Sequence, residues 1–358
     1  MSDDDFQEFE EVIFSKKGSV GHILLNRPKA LNALTLEMVM AMTNRLHRWS
    51  DDEDIVAVVV EGAGEKGFCA GGDIRALYDS GKAQTDYWYK FYSNEYRLDT
   101  LIHEYPKPYI SLLNGITMGG GVGISINGKF RIASERTVFA MPETGIGLIP
   151  DVGGSYFLPR LPGAAGMYLG LTGARLRGPD ATKLGVATHF MPEAETVSFM
   201  DELCGLDPDD ATTADVESVI AKHTEPEYVS PYDNIRENVD AMFSGGSVQT
   251  ICSSLEAAAS EWSLDALRTL RSKSPLSVMV TFEQLRRGKN LTFRDGIAQE
   301  LRCVMHINRG HDFYEGVRAV IVDKDNEPKW SPAQLEDVLP EKVAAHFENI
   351  GKQELVFL

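Results

Sequence analysis

The chain has 358 residues, 43% of them hydrophobic and 25% charged, with 35 basic against 53 acidic side chains and a formal charge of −18. That balance is ordinary for a soluble globular protein and argues against nonspecific binding to nucleic acid or to anionic membranes, which needs a basic surface. No apolar run approaches the roughly 20 residues needed to span a bilayer. The start, MSDDDFQEFEEV, is acidic and lacks both an apolar signal core and Arg-rich transit character. The expected location is therefore the cytoplasm, or the mitochondrial matrix if a presequence has been removed. Cys69, Cys204, Cys252 and Cys303 are widely spaced, form no CxxC pair and read as free thiols.

Taken in chain order, Glu11 to Phe14 and Val20 to Leu25 predict two short strands. The helix predicted over Leu36 to Trp49 places Leu36, Val39, Met40, Thr43, Leu46 and Trp49 near one face, with Thr35 as its N-cap. Ile55 to Val60 and Tyr109 to Leu113 are the short β-branched or apolar runs of buried strands. Phe130 to Ala133 and Val138 to Ala140 predict further strands; Gln84 to His103 and Gly121 to Asn127 predict helices. This alternation predicts an α/β core with partly parallel sheets. From about Gly163 the pattern turns helical: Glu193 to Leu203, Thr213 to Lys222, Asn234 to Met242 and Ser247 to Arg271, then helices starting at Pro275 and Thr292. LDPDDATTAD reads as a solvated loop. The expected division is an α/β core over 1–190 and a helical C-terminal region over 191–358.

Three loops carry the chemistry. Phe68-Cys69-Ala70-Gly71-Gly72-Asp73 and Asn114-Gly115-Ile116-Thr117-Met118-Gly119-Gly120-Gly121 each follow a strand and precede a helix. Glycines there let a ligand approach the main chain, and two such loops can aim two N–H groups at one oxygen, as an oxyanion hole requires. A tight strand-to-helix turn would account for either loop alone. Neither is followed by the Lys-Ser/Thr of a Walker loop, and neither has the spacing of a dinucleotide fingerprint. The third loop, Met141-Pro142-Glu143 through Asp151-Val152-Gly153-Gly154, holds two carboxylates in an otherwise apolar and glycine-rich stretch. Such surroundings raise a carboxyl pKa and suit it to proton transfer, whereas the alternative is that each caps a helix or makes a turn. The eight histidines show no metal-ligand spacing, so no metal is expected. Ser155 lacks the G-x-S-x-G elbow of a serine hydrolase.

Together these loops resemble the crotonase (enoyl-CoA hydratase/isomerase) superfamily. Asn26-Arg27-Pro28 through Leu31-Asn32-Ala33-Leu34, then FCAGGDI, NGITMGGGVG and MPETGIGLIPDVGG occur in the family's order. The last two, with His311 through Ala319, Asp323-Lys324-Asp325 and Pro328-Lys329-Trp330, look like the 3-hydroxyisobutyryl-CoA hydrolase branch. The resemblance spans about residues 10–190 and 273–332; roughly 200–270 has no specific match.

The resemblance implies an α/β fold, a spiral of ββα units with a helical C-terminal region. It implies a coenzyme A thioester as substrate, with backbone N–H groups of Gly72 and Gly120 as the oxyanion hole and Glu143 as the central carboxylate. The CoA moiety would lie along Arg27, Ala30 and Leu31 and along Ala70, Gly71, Gly72 and Ile74, with Arg27, Lys29 and Lys289 as candidates for its phosphates. The family's hydratases carry a glutamate three positions after the second oxyanion glycine, where this chain has Gly123. Asp151, eight residues beyond Glu143, instead matches the hydrolase branch, and Glu95 is the match for that branch's substrate-contacting glutamate, its other reading being an exposed helix carboxylate. The implied reaction is hydrolysis of a short β-hydroxyacyl-CoA of the valine-degradation type, with no cofactor beyond the CoA of the substrate, no nucleic-acid or membrane partner, and an open oligomeric state. A hydratase or isomerase of the same fold, or a noncatalytic binding protein, are the alternatives.

Overall fold

A computed structural model describes residues 10–225 and 229–357. The chain packs as two compact units, each assembled from three separated segments. The first comprises the described residues of Met1–Gly72, Leu101–Val138 and Arg177–Val229. Its strands are β1 (Val12–Lys17), β2 (Val20–Leu25), β3 (Ala57–Gly62), β4 (Gly67–Cys69), β5 (Tyr109–Leu113), β6 (Ile116–Met118), β7 (Phe130–Ala133) and β8 (His189–Phe190). A six-stranded sheet runs in the order β1-β2-β3-β5-β7-β8. β1 and β2 pair antiparallel through a two-residue turn in which Gly18 has φ +57°. All later pairings in that sheet are parallel, with Val20 opposite Ala57, Val58 opposite Tyr109 and Ile110 opposite Phe130. Parallel strands covered on both faces are continuously apolar, and Ala57, Val58, Val59 and Val60 are all fully buried. One core cluster joins Val20, Ala57, Val59, Ile110 and Ile132 to Phe199, Leu203, Val216 and Ile220 of the helices Thr196–Cys204 and Thr213–His223.

The helix Leu36–Ser50 is capped as predicted, Thr35 accepting from the Met38 N–H. Its buried face is Met38, Val39, Ala41, Met42, Leu46 and Trp49, so Met40, assigned to that face by spacing, points outward at 48% exposure. The face is centred on the row of residues four apart, Met38, Met42 and Leu46, half a turn from where Leu36 and Met40 would put it.

The second unit comprises Asp73–Thr100, Phe139–Leu176 and the described residues of Ser230–Leu358. It is helical: Ile74–Lys82, the residues of Tyr87–His103 up to Thr100, Ala165–Thr172, Pro275–Gly288 and Phe293–Ile307 are its main supports. Beyond Phe190 no described residue lies in a strand. The single helix expected over Ser247 to Arg271 is two, Val248–Ala258 and Glu261–Ser272. Ala259 is left-handed at φ +49°, and Ser260 caps the second helix by accepting from the Ser263 N–H, which halts one helix and restarts another. Among the described residues no helix is long and apolar enough to cross a membrane.

Candidate active site

The first unit supplies main-chain donors. β4 and β6 run parallel, and the loops that leave them lie side by side. A Cβ built on Gly71 (φ +119°) would fall 3.4 Å from the Met118 carbonyl oxygen and 3.5 Å from the Gly120 nitrogen. A Cβ on Gly121 would fall 2.2 Å from the Cys69 carbonyl oxygen, so only glycine allows this approach. Gly120 opens the helix Gly120–Ile126, whose first N–H groups have no intrahelical acceptor. Gly72 bridges Leu34, whose N–H donates to the Gly71 carbonyl at 2.8 Å, and the Ala70 N–H donates to Leu31 at 2.9 Å. The segment Arg27 to Leu34 therefore lies directly beside Ala70 to Gly72, which brings together the positions of this unit that the resemblance assigns to CoA.

Asn32 ties these pieces together. Fully buried, it donates to the Ala63 and Gly67 carbonyls at 3.0 and 2.9 Å and accepts from the Arg27 N–H at 2.9 Å. Its role is structural, a residue that the motif contained but that the sequence reading left without a task. The Arg27 guanidinium donates to the Ala33 carbonyl at 2.6 Å and pairs with Glu11 at 3.0 Å, so it is partly spent inside the protein. Lys29 and Lys289 are exposed, and Ile74 opens the helix Ile74–Lys82 of the second unit.

The second unit supplies carboxylates. Glu143 opens a short 3₁₀ turn, Glu143–Ile146, and its carbonyl accepts the Leu148 N–H at 3.0 Å. Its side chain is only 4% exposed, and Oε2 has no hydrogen-bond partner among the described residues. Burial, and then the nearby Asp151, push its carboxyl well above the usual range; Lys273 acts weakly the other way. Asp151 accepts the Tyr96 hydroxyl at 2.6 Å, and burial pushes it up to about 6 despite that bond. Its side chain therefore does not cap the following helix. Glu95 is 2% exposed, so the exposed-carboxylate reading fails; burial, then Asp151, hold it well above the ordinary carboxyl range.

Three residues of this cluster escaped the sequence reading. Tyr96 holds Asp151. Asp99, fully buried with neither carboxyl oxygen hydrogen-bonded among the described residues, is raised by burial and then by Glu95, Asp151 and Glu300. Glu300 accepts from the Gly153 and Ser155 N–H groups at 2.9 and 2.7 Å, and burial pushes it up to about 8. A signal existed for Asp99: Glu95 and Asp99 are one helical turn apart on a face shared with Tyr92 and Tyr96. Like charges at that spacing disfavour a helix and need another reason to be there.

Chemically, the second unit offers several carboxyls that ionise reluctantly, grouped around two residues eight positions apart in one loop. The position at which the family's hydratases carry their first glutamate is Gly123, buried in the helix Gly120–Ile126 and without a side chain to move a proton.

The comparisons with known proteins follow the same lines. A family model for enoyl-CoA hydratase/isomerase matches residues 20–347, including the stretch of 200–270 that showed no specific motif. A mitochondrial 3-hydroxyisobutyryl-CoA hydrolase of Danio rerio is 45% identical over 350 residues, 96% of this chain and 91% of that protein. The one of Homo sapiens is 42% identical over 353 residues, 97% and 91% of the two chains. Among solved structures, a carnitinyl-CoA dehydratase from Mycobacterium thermoresistibile superposes with a TM-score of 0.91 at 39% identity, covering 98% of this chain and 99% of that one. An enoyl-CoA hydratase from Rhodobacter sphaeroides gives 0.88 at 38% identity, covering 97% and 100%. The fold is thus the α/β crotonase fold with a helical C-terminal region, and the chain belongs to the enoyl-CoA hydratase/isomerase family.

Proposed function

We propose that the protein is an acyl-CoA thioester hydrolase that converts 3-hydroxyisobutyryl-CoA and water to 3-hydroxyisobutyrate and free CoA. The observation that carries this reading is the pair Glu143 and Asp151, both buried and electrostatically coupled, in a chain whose Gly123 cannot supply a hydratase's first glutamate. The names of relatives at 42–45% identity over nearly the whole chain support the same substrate.

In this mechanism the Gly72 and Gly120 N–H groups donate to the thioester carbonyl oxygen and stabilise the charge that develops there; losing one such donor raises a barrier by about 3 kcal/mol. Glu143 acts in one of two ways. As a nucleophile its carboxylate adds to the carbonyl carbon, the C–S bond breaks, CoA leaves as the thiolate and water hydrolyses the mixed anhydride. As a general base it takes a proton from the water that attacks directly. Asp151 orients the substrate hydroxyl or a water and shares the proton transfer, and Glu95 holds the β-hydroxyl. Ala30, Leu31, Ala70, Gly71 and Ile74 flank the CoA moiety. The reaction as written calls on no group beyond substrate and water.

A single turnover in ¹⁸O-water bears on the two roles: label in the Glu143 peptide establishes the anhydride, whereas label in the released acid alone follows either from general-base attack or from water adding at the acyl carbon of the anhydride. The function itself is tested by free-thiol release from 3-hydroxyisobutyryl-CoA within a panel of short acyl-CoA esters with and without a β-hydroxyl. The names of the two solved structures favour a second reading, a hydratase or dehydratase. Fast hydration of crotonyl-CoA with no thiol released would establish it over hydrolysis.

A further inference from the structure

The turn after Asp151 is built in a way that local sequence cannot support. Val152, a β-branched residue, sits in the left-handed region at φ +52°, followed by Gly153 at φ +97°. A non-glycine residue there is strained and persists only where its surroundings dictate it. The helix that follows, Gly154–Phe157, has four residues and no side-chain cap of its own. Its cap comes instead from Glu300, on the helix Phe293–Ile307: one carboxyl oxygen takes the Gly153 N–H at 2.9 Å, the other the Ser155 N–H at 2.7 Å. On the other side of the turn the Gln284 side-chain amide donates to the Pro150 carbonyl at 2.6 Å. Both side chains are fully buried or nearly so. A neutral Ser or Asn would satisfy a helix start. A carboxyl placed here adds a further ionisable group beside Asp151 and Asp99, and a plain structural brace would not need it.

We infer that Glu300 is a positioning residue for the reaction, its two oxygens locking the Val152–Gly153 turn so that Asp151 is presented in the one orientation that also accepts the Tyr96 hydroxyl. The inference rests on the reading of Asp151 as a catalytic group. Glu300 touches no reacting atom in this account; it acts through Asp151. Glutamine at 300 keeps the shape but turns an NH₂ toward one of the two backbone donors, so one contact becomes repulsive and the turn relaxes.

The test is a double-mutant cycle on the full chain, with Glu300→Gln, Asp151→Asn and the pair, assayed by free-thiol release from 3-hydroxyisobutyryl-CoA. Glu300→Gln is expected to lower kcat by about 10- to 100-fold, the scale of a misplacement near 1 Å, and to leave KM within about 3-fold. In the Asp151→Asn background the same change is expected to lower kcat by less than about 2-fold, because the group it positions is already disabled. A loss of equal size in both backgrounds overturns the inference, and so does a wild-type kcat in Glu300→Gln. If Glu300→Gln does not accumulate as folded protein, Glu300→Asp, which keeps the charge and shortens the reach by one methylene, takes its place in the same cycle and is judged by the same outcomes. Asp151→Asn turning over at the wild-type rate would overturn the catalytic reading of Asp151 and this inference with it; that failure shows in the single mutant and is distinct from the others.

Discussion

The two units solve different problems. The first presents backbone N–H groups, and its demands are steric: glycines where main chains approach closely, Asn32 bolting the loops together, parallel strands filling the space beneath. The second presents side-chain carboxyls, and its demands are electrostatic: Glu95, Asp99, Glu143, Asp151 and Glu300 all buried and all pushed upward in pKa. On the proposed mechanism, function and stability have the same cause in the first unit, because the geometry that would make a donor pair is the packed fold. In the second they are opposed, because burying like charges together disfavours the folded state. Substitutions should therefore behave differently in the two.

The sharpest contrast is expected from Glu143→Gln. Its kcat should fall by about 10³- to 10⁴-fold while the CoA ester still binds and the melting temperature stays level or rises. Turnover at the wild-type rate would reject Glu143 as the catalytic group, and a large fall in melting temperature would break the contrast. Gly121→Ala is expected to lose activity and stability together. Its Cβ meets the Cys69 carbonyl at 2.2 Å, so kcat should fall by about 10²-fold and stability by about 1–3 kcal/mol, read by urea unfolding. Asn32→Ala strips partners from buried main-chain groups and should lower stability by on the order of 3 kcal/mol, with residual activity tracking the folded fraction.

The smallest effect is a slope. Carboxyls whose folded-state pKa is raised bind protons more tightly in the native protein than in the unfolded chain. Their contribution is therefore complete below the ordinary carboxyl range of about 4 and is lost as pH rises through the folded-state values, about 6 for Asp151 and about 8 for Glu300. Unfolding free energy should decline between about pH 5 and 8, and Asp99→Asn should flatten the decline. An unchanged slope in that variant would show that Asp99 binds its proton no more tightly in the folded protein than in the unfolded chain.

Much of the first unit was legible in the sequence because its signals are local. The apolar runs at Val20 to Leu25, Tyr109 to Leu113 and Phe130 to Ala133 form strands with the predicted bounds, and Thr35 caps the first long helix. The short strands Gly67–Cys69 and Ile116–Met118 were missed because three residues carry no periodicity. The break at Ala259 was missed because nothing in an alanine announces a left-handed turn.

By itself the sequence determined the α/β character, the glycine loops, and the presence of Glu143 and Asp151 in one apolar stretch. Each is a matter of residue type at short spacing, where backbone sterics and helical or strand periodicity act. Only the tertiary structure decided which polar groups meet: Tyr96 with Asp151 at a separation of 55 residues, and Glu300 with Gly153 and Ser155 at 147 and 145. A carboxyl pKa and a turn held against its own preference depend on what packs around them. That surrounding is assembled from segments far apart in the chain, by burial that no local pattern encodes.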